Sequence, residues 1–202
     1  MPSERILALD AMGVVYATRS ITSEVVIPFL REHSCTITDR DIRWLYEEAS
    51  KGRMTSASFW RRLGLDPSVE AECLRRYVLM PGLSEFLAWA RESFDGLYML
   101  TNDVTEWSEA LRGRFDLDRW FDDVLVSGDL GIRKPQRRAF RALVDRAGVT
   151  AVEMVFVDDK IANLDAAAAL GMRTVHLAPR EEAESDHAHA PDLAHLRLHL
   201  ES

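Results

Sequence analysis

Five short apolar runs stand out along the chain, and each is typical of a strand buried in a parallel sheet. They cover residues 6–9, 97–100, 124–126, 154–157 and 174–177. Segments with apolar residues at helical spacing lie at 83–93, 104–112, 136–147 and 163–170. Because strand and helix alternate, we predict an α/β fold with a parallel sheet and right-handed crossovers.

The stretch between the first two runs has a different pattern. Residues 17–80 show no convincing strand and predict four helices, at 23–33, 38–49, 56–63 and 66–78. Gly64 is placed to end the third helix, and Asp66-Pro67 to begin the fourth. We therefore divide the chain into an α/β core, residues 1–16 and 81–202, and a helical insert, residues 17–80.

The final segment is compatible with two structures. Leu196, Leu198 and Leu200 alternate as in a strand, whereas Leu193, Leu196 and Leu200 share one face of a short helix. Just before them, an alanine separates two histidines at 187 and 189, which is a weak hint of metal binding. We interpret that acidic tail segment, from residue 180 onward, as a solvated linker.

Polar groups follow three of the predicted strands at the points where the strands end. Asp10 follows the first, Thr101-Asn102 the second and Asp158-Asp159 the fourth. The carboxyl ends of parallel strands meet at one edge of the sheet, where such folds bind ligands. Lys134 adds a cation just before a predicted helix, after a loop that we expect at residues 127–131. A carboxylate nucleophile, hydroxyl and amide donors, a cation and an acid pair together predict phosphoryl-transfer chemistry.

Each of these groups also has an ordinary structural interpretation. Thr and Asn cap helices, acids stabilise helix N-termini, and a single Lys is usually a surface residue. The pair Asp158-Asp159 is harder to explain in this way, because adjacent carboxylates repel each other unless a cation compensates. Mg²⁺ is held by a few carboxylates together with phosphate oxygens and water. We therefore expect Mg²⁺ at this edge of the sheet.

Taken in chain order, these residues resemble the four motifs of the haloacid dehalogenase-like superfamily. The motifs are Asp10 with Gly13, Thr101-Asn102, Lys134-Pro135, and Asp158-Asp159 followed by Asn163 and Gly171. Their spacing is similar to that of the branch whose helical cap lies between the first and second motifs. The resemblance implies a Rossmann-like core, a four-helix cap formed by residues 17–80, and hydrolysis of a small phosphorylated metabolite.

The resemblance also implies how the reaction would proceed. Asp10 would be the nucleophile and would form an aspartyl-phosphate. Thr101 and Asn102 would bind the transferring phosphoryl group, and Lys134 would neutralise charge between that group and the nucleophile.

Two further roles follow from the same resemblance. Mg²⁺ would be held by Asp10, the backbone carbonyl of Met12, Asp158 and Asp159. Arg53, in the loop between the second and third insert helices, would lie near the active site as a candidate substrate contact; the alternative is a solvated loop residue.

Met12 departs from the pattern of the superfamily. Phosphatases of this kind usually carry a second Asp two residues after the nucleophile, which protonates the leaving group and then activates water. A methionine does neither, and such assistance is typically worth about 10²–10⁴-fold. We therefore expect aryl and acyl phosphates to react well and alkyl esters slowly. Asp103 is a candidate to replace the missing acid.

Two alternative functions stay open: a dehalogenase, in which Asp10 attacks carbon, and a catalytically weak binding or regulatory protein.

The composition of the chain limits the classes of binding partner and the cellular compartment that we expect. The 202 residues are 47% hydrophobic and 29% charged, with a net charge of −8, which argues against non-specific nucleic-acid binding. No apolar run is long enough to cross a bilayer, so we expect no membrane partner. The only cysteines are Cys35 and Cys73, so the sequence shows no disulfide framework and favours the cytoplasm. Nothing in it specifies an oligomeric state.

Overall fold

The computed structural model describes residues 5–182 and 185–201. Within them, six parallel strands form one sheet in the order β3-β2-β1-β4-β5-β6. The strands are β1 Ile6–Leu9, β2 Gly96–Thr101, β3 Asp123–Val126, β4 Met154–Asp158, β5 Arg173–Leu177 and β6 Ala188–Ala190. The five predicted strands are confirmed with ends that differ by at most one residue, and so is the α/β fold class. Residues 1–4, 183–184 and 202 of the predicted core lie outside the described residues.

Strand β1 lies in the middle of the sheet because its apolar side chains are buried on both faces. Leu7 and Leu9 belong to one buried cluster, whereas Ile6 and Ala8 belong to the other. Leu9 lies opposite Met99 of β2 and Val157 of β4. The residue after β1 is thereby placed between the ends of two neighbouring strands.

Residues 17–80 contain four helical segments, as predicted. They are α1 Ile27–Glu32, α2 Asp39–Ala49, α3 Ser56–Arg62 and α4 Glu70–Leu74. A π-helical turn, Ile21–Val26, runs into α1, and a 3₁₀ turn, Pro67–Val69, runs into α4. The fourth helix ends at Leu74 rather than near residue 78. Arg114 donates to the carbonyl oxygens of Leu74 and Tyr77, at 2.7 and 3.2 Å, and this distant contact satisfies carbonyls beyond the helix end.

Helices cover both faces of the sheet. They are α5 Leu83–Ser93, α6 Thr105–Phe115, α7 Ser127–Leu130, α8 Arg137–Ala147, α9 Ile161–Ala168 and α10 Leu193–Leu200. Buried residues of α5, α6 and α10 join the cluster of Leu7, and those of α8 and α9 join the cluster of Ile6. None of the helices in the described ranges has the length and apolar character needed to cross a bilayer.

Two local predictions were wrong. Residues 127–131, expected as a loop, contain the single turn of α7, which ends at Gly131 in the left-handed region at φ +66°. The expected linker contains β6, which pairs with β5. The rings of its histidines are engaged: His187 contacts Thr174 at 2.8 Å, and His189 contacts the Ala178 carbonyl at 2.7 Å. The final segment is helix α10, so the helical alternative is confirmed and the strand alternative is wrong.

An aromatic junction joins the insert to the core. Trp107 of α6 lies 5.7 Å from the ring of Trp60, 5.3 Å from Phe59 and 5.9 Å from Tyr46, all from the insert. Both tryptophan side chains are fully buried, and both indole N–H groups donate to one carboxylate oxygen of Glu70, at 2.9 and 2.8 Å. Glu70 therefore satisfies two donors that burial would otherwise leave without a partner.

We predict that Glu70→Ala lowers the free energy of unfolding by about 2–4 kcal/mol, because each buried unpaired donor costs roughly 1–3 kcal/mol. Glu70→Gln keeps an acceptor and should cost less. Urea unfolding measures the change. The matched control is Glu72→Ala, an exposed residue on the same helix, where we expect about 0.5 kcal/mol or less. An equal effect of Glu70→Ala and Glu72→Ala would contradict the role of this carboxylate.

Candidate active site

The carboxyl ends of β1, β2 and β4 bring the predicted residues together. Asp10 directly follows β1, Thr101 ends β2 and Asp158 ends β4. Lys134 enters from the segment between α7 and α8 and is buried among them. Four residues that are far apart in the sequence thus meet at one edge of the sheet.

Lys134 forms a buried bridge between two of the carboxylates. Its Nζ lies 2.7 Å from Asp10 Oδ1 and 2.8 Å from Asp158 Oδ2. Burial lowers the pKa of Lys134, but the two carboxylates outweigh burial, so its pKa is raised and the ammonium stays charged. The pKa of Asp158 is raised by burial and by the charge of Asp10, against the opposing effect of Lys134.

The acids form a group that could hold a metal ion. Among the described residues, Asp10, Asp158 and Asp159 offer ligand oxygens that all lie within 4.8 Å of one another. The buried Oδ1 of Asp159 has no hydrogen-bond partner there. The oxygens of Asp158, by contrast, accept bonds from Lys134, the Lys160 backbone N–H and Asn163. Three carboxylates against one ammonium leave negative charge, and hard oxygen ligands suit Mg²⁺.

Gly13 makes room for the second acid of the pair. It adopts φ +77°, and a Cβ built on it would lie 2.7 Å from Asp159 Cγ. Any side chain at this position would push Asp159 away from its place and would be strained as well. Asn163 also holds the acid loop in place, since its amide donates to Asp158 at 2.9 Å.

Thr101 and Asn102 differ in what their side chains contact. The Thr101 hydroxyl is buried and has no hydrogen-bond partner among the described residues. The Asn102 amide is engaged: Oδ1 accepts from the Lys134 backbone N–H and Nδ2 donates to the Lys134 carbonyl, each at 2.8 Å. No side chain caps α6, whose N-cap residue is Val104, so the capping interpretation does not explain Thr101 or Asn102.

Asp103, the candidate replacement for the missing acid, is fully enclosed. Its Oδ1 accepts from the Val104 N–H at 2.8 Å and from the Tyr46 hydroxyl at 3.5 Å. Burial raises the pKa of Asp103 to about 7. Met12 is also buried and lines the cavity above the acids. Asp103 does not line that cavity.

The cavity has a volume of about 240 Å³ and is rich in cations. Its lining includes Arg19, Arg43, Arg133 and Lys160, together with Met12 and Asn102. Arg19 donates to Asp159 at 3.2 Å and to both carboxylate oxygens of Glu182, at 2.7 and 2.8 Å. No motif in the sequence marks these cations as site residues. Only Arg133 carried a local signal, as the neighbour of Lys134.

Arg53 lies on a different cavity from the one above the acids. It pairs with Glu48 at 2.9 Å and shares its cavity with Gly52, Thr105 and Gly128. A Cβ on Gly52 would lie 2.2 Å from the Gly128 carbonyl oxygen, so this insert loop packs directly against α7. The structure therefore does not bring Arg53 together with the other predicted site residues.

Comparisons with known proteins agree with this arrangement. The family model described as haloacid dehalogenase-like hydrolase matches residues 6–171. A phosphoserine phosphatase of Thermus thermophilus is 35% identical over 156 residues, which is 75% of this chain and 56% of that protein. The chain spans between 29% and 56% of the lengths of the curated relatives it matches.

Solved structures share the fold. A haloacid dehalogenase family enzyme of Bacteroides thetaiotaomicron, in complex with magnesium and inorganic phosphate, is 20% identical with a TM-score of 0.73, over 89% of this chain and 97% of that one. An L-2-haloacid dehalogenase of Xanthobacter autotrophicus, with chloropropionic acid covalently bound, is 18% identical with a TM-score of 0.70, over 98% of both chains.

Asp103 generates a prediction about pH. Its pKa in the folded protein, about 7, lies above the ordinary value of 3.8. Between those values the folded protein holds a proton that the unfolded chain has released, so the free energy of unfolding falls as pH rises through this window. Asp103→Asn keeps an acceptor for Val104 but cannot titrate. We expect the free energy of unfolding of the variant, measured by urea denaturation, to decline less steeply between about pH 4 and 7.

The matched control for this experiment is Asp145→Asn, which removes an exposed carboxylate of α8. Its pH profile should follow that of the unmodified protein. Parallel profiles for Asp103→Asn and the unmodified protein would contradict the assignment of a buried, protonated Asp103.

Proposed function

The chain belongs to the haloacid dehalogenase-like hydrolase family, and from that premise we propose that it is a Mg²⁺-dependent phosphatase of a small phosphorylated metabolite. One observation carries the proposal. The carboxylate of Asp10 lies beside the buried ammonium of Lys134 and within the group of three acids. That arrangement supports a nucleophile, a cation and ligands for a divalent metal acting at one point.

Asp10 is the proposed nucleophile. Its Oδ1 accepts from Lys134 at 2.7 Å and from the Ala11 N–H at 2.7 Å, so we assign attack to Oδ2. Oδ2 forms a bond to phosphorus as the bond from phosphorus to the leaving oxygen breaks. Water then attacks phosphorus, which releases inorganic phosphate and restores the Asp10 carboxylate.

The other residues bind and orient the phosphoryl group. The unpartnered Thr101 hydroxyl donates to one of its oxygens, and Lys134 neutralises charge next to Asp10. Asn102 fixes the backbone of Lys134 through its two hydrogen bonds, which supports a positioning role in addition to the predicted contact with substrate.

The proposed Mg²⁺ ligands are Asp10, the Met12 backbone carbonyl and Asp159, with Asp158 acting directly or through water. The unpartnered Oδ1 of Asp159 supports direct contact, and the three donors on Asp158 favour water. When bound, Mg²⁺ would stabilise negative charge that develops on the phosphoryl oxygens.

We propose that residues 17–80 act as a cap on the core formed by residues 1–16 and 81–202, and that this cap determines which substrate is accepted. A contact of Arg53 with substrate stays a prediction. A cytoplasmic location and a lack of nucleic-acid and membrane partners also stay predictions.

Met12 favours a second candidate, a dehalogenase in which Asp10 attacks carbon and no acid two residues later is needed. The carboxylate group of Asp10, Asp158 and Asp159 weighs against it, because that chemistry requires no metal. Met12 also supports a catalytically weak binding or regulatory protein with the same fold. Absence of Mg²⁺ binding in calorimetry would favour this last candidate.

The test is hydrolysis of p-nitrophenyl phosphate with and without Mg²⁺. We expect Mg²⁺-dependent release of nitrophenol that Asp10→Asn abolishes. The aryl leaving group needs no strong acid, so Met12 does not hide the activity. No release at high enzyme concentration would contradict the proposal, and metal-free turnover of a 2-haloacid would then identify the dehalogenase.

Met12 itself generates a prediction about leaving groups. Met12→Asp introduces a proton donor next to the nucleophile, so we expect alkyl phosphate hydrolysis to rise tenfold or more, within the ~10²–10⁴-fold range of general acid–base catalysis. The rate with p-nitrophenyl phosphate should change little. Steady-state kinetics with both substrates measures the contrast, and Met12→Asn is the control because it is polar but cannot donate an acidic proton. Unchanged alkyl rates in Met12→Asp would show that the missing acid does not limit the enzyme.

A further inference from the structure

The cations of the cavity differ in how their charge is compensated. Arg19 is paired with Asp159 and Glu182, as described above. Glu47, an acid of the lining, is held by Lys51 at 2.6 Å. The two other arginines, Arg43 and Arg133, form no ion pair with any carboxylate in the described ranges. In a chain with a net charge of −8, two such guanidinium groups on one small cavity require an explanation.

Both guanidinium groups are held in place by neutral partners. Arg43 donates to the hydroxyl groups of Thr22 and Ser23, at 3.1 and 2.9 Å. Arg133 donates to the Ser50 hydroxyl, and its guanidinium carbon lies 5.6 Å from the centre of the Tyr46 ring. These contacts fix the orientation of the side chains without a direct ion pair, and the acids that act on Arg133 through their charge are Glu47 and Asp103. A planar, oriented guanidinium is well suited to carboxylate and phosphate oxygens.

The two arginines reach the cavity from different parts of the chain. Arg43, Tyr46 and Glu47 share one face of α2, at the spacing of neighbouring helical turns, and all three line the cavity. The Tyr46 hydroxyl donates to the Asn102 carbonyl at 2.8 Å, which ties this face of α2 to the end of β2. Arg133 comes from the core and immediately precedes Lys134, the partner of Asp10. Both arginines therefore line one cavity together with Met12 and Asn102, which follow Asp10 and Thr101 in the chain.

From this geometry we infer that the substrate carries a second anionic group, a carboxylate or a second phosphate, bound by Arg43 and Arg133. The inference rests on the proposed phosphatase function and specifies its substrate class. In the proposed function, Thr101, Lys134 and the metal site would bind the transferring phosphoryl group. Arg43 and Arg133 are then available to bind the rest of the substrate. The cavity of about 240 Å³ lies below the usual range of roughly 300–1,000 Å³ for ligand pockets, which favours a small substrate.

The experiment measures inhibition of p-nitrophenyl phosphate hydrolysis at a fixed concentration of free Mg²⁺. The probes are phosphonoacetate, 3-phosphonopropionate and 4-phosphonobutyrate, each compared with the alkylphosphonate of similar length. The corresponding bisphosphonates form a second arm, which distinguishes a carboxylate from a phosphate as the second group. Phosphonates are not hydrolysed, so the slow alkyl chemistry expected from Met12 does not affect the result.

We expect at least one probe with two anionic groups to bind tenfold or more tightly than its alkylphosphonate, as charge-assisted hydrogen bonds to two guanidinium groups predict. Arg43→Gln and Arg133→Gln should each remove most of that advantage, which is measured within each variant as the ratio of the inhibition constants of the two probes. Arg43→Lys should restore part of it. The matched control is Arg62→Gln, an exposed arginine of α3 outside the lining of the cavity, which should keep the full advantage.

Three results would overturn the inference. The first is the absence of any advantage at every chain length while p-nitrophenyl phosphate is still hydrolysed. The second is an equal loss of affinity for all ligands in Arg43→Gln and Arg133→Gln, which would assign the arginines to the transferring phosphoryl group. The third is the same loss in Arg62→Gln, which would indicate general electrostatics. Failure of the phosphatase proposal is distinct from all three, because the unmodified protein would then not hydrolyse p-nitrophenyl phosphate.

Discussion

The rest of the site depends on the buried contact of Lys134 with two carboxylates. An ammonium removed from water is costly unless anions compensate it, and Asp10 and Asp158 do so at 2.7 and 2.8 Å. Asp159 then adds a third carboxylate within reach of the same point. With Arg19 donating to Asp159, two cations face three acids, and negative charge remains in a largely buried place. This imbalance is the physical reason why we propose a divalent cation at the site.

Residues that need not touch the substrate hold this contact in position. Asn102 bonds the backbone of Lys134 from both its amide atoms, and Asn163 bonds Asp158. Gly13 lets Asp159 approach because it carries no side chain. The register of β1 with β2 and β4 sets the separation of Asp10, Thr101 and Asp158. The sheet thus positions the proposed reacting groups, whereas α2 contributes Arg43, Tyr46 and Glu47 to the lining of the neighbouring cavity.

Much of the fold and of the acid cluster could be predicted from the sequence, because both depend on local patterns. Apolar runs that end in Asp10, Thr101 and Asp158 mark strand ends directly. Other features depend on contacts between distant residues: Arg114 accounts for the end of α4, and β6 exists only because β5 offers a partner. Arg43 and Arg19 show no motif, since their roles arise from the folding of the insert over the sheet. Arg53 was placed near the site from the resemblance alone, whereas the structure pairs it with Glu48.

The central claim is that Asp10 becomes covalently phosphorylated during turnover. The most direct test is rapid acid quenching of the enzyme with Mg²⁺ and an aryl phosphate, followed by mass spectrometry of the peptide that contains Asp10. The account predicts a transient mass increase of one phosphoryl group on Asp10, formed before the steady state and lost as substrate is exhausted. Turnover with that peptide unmodified at every time, or with the phosphoryl group on another residue, would contradict it.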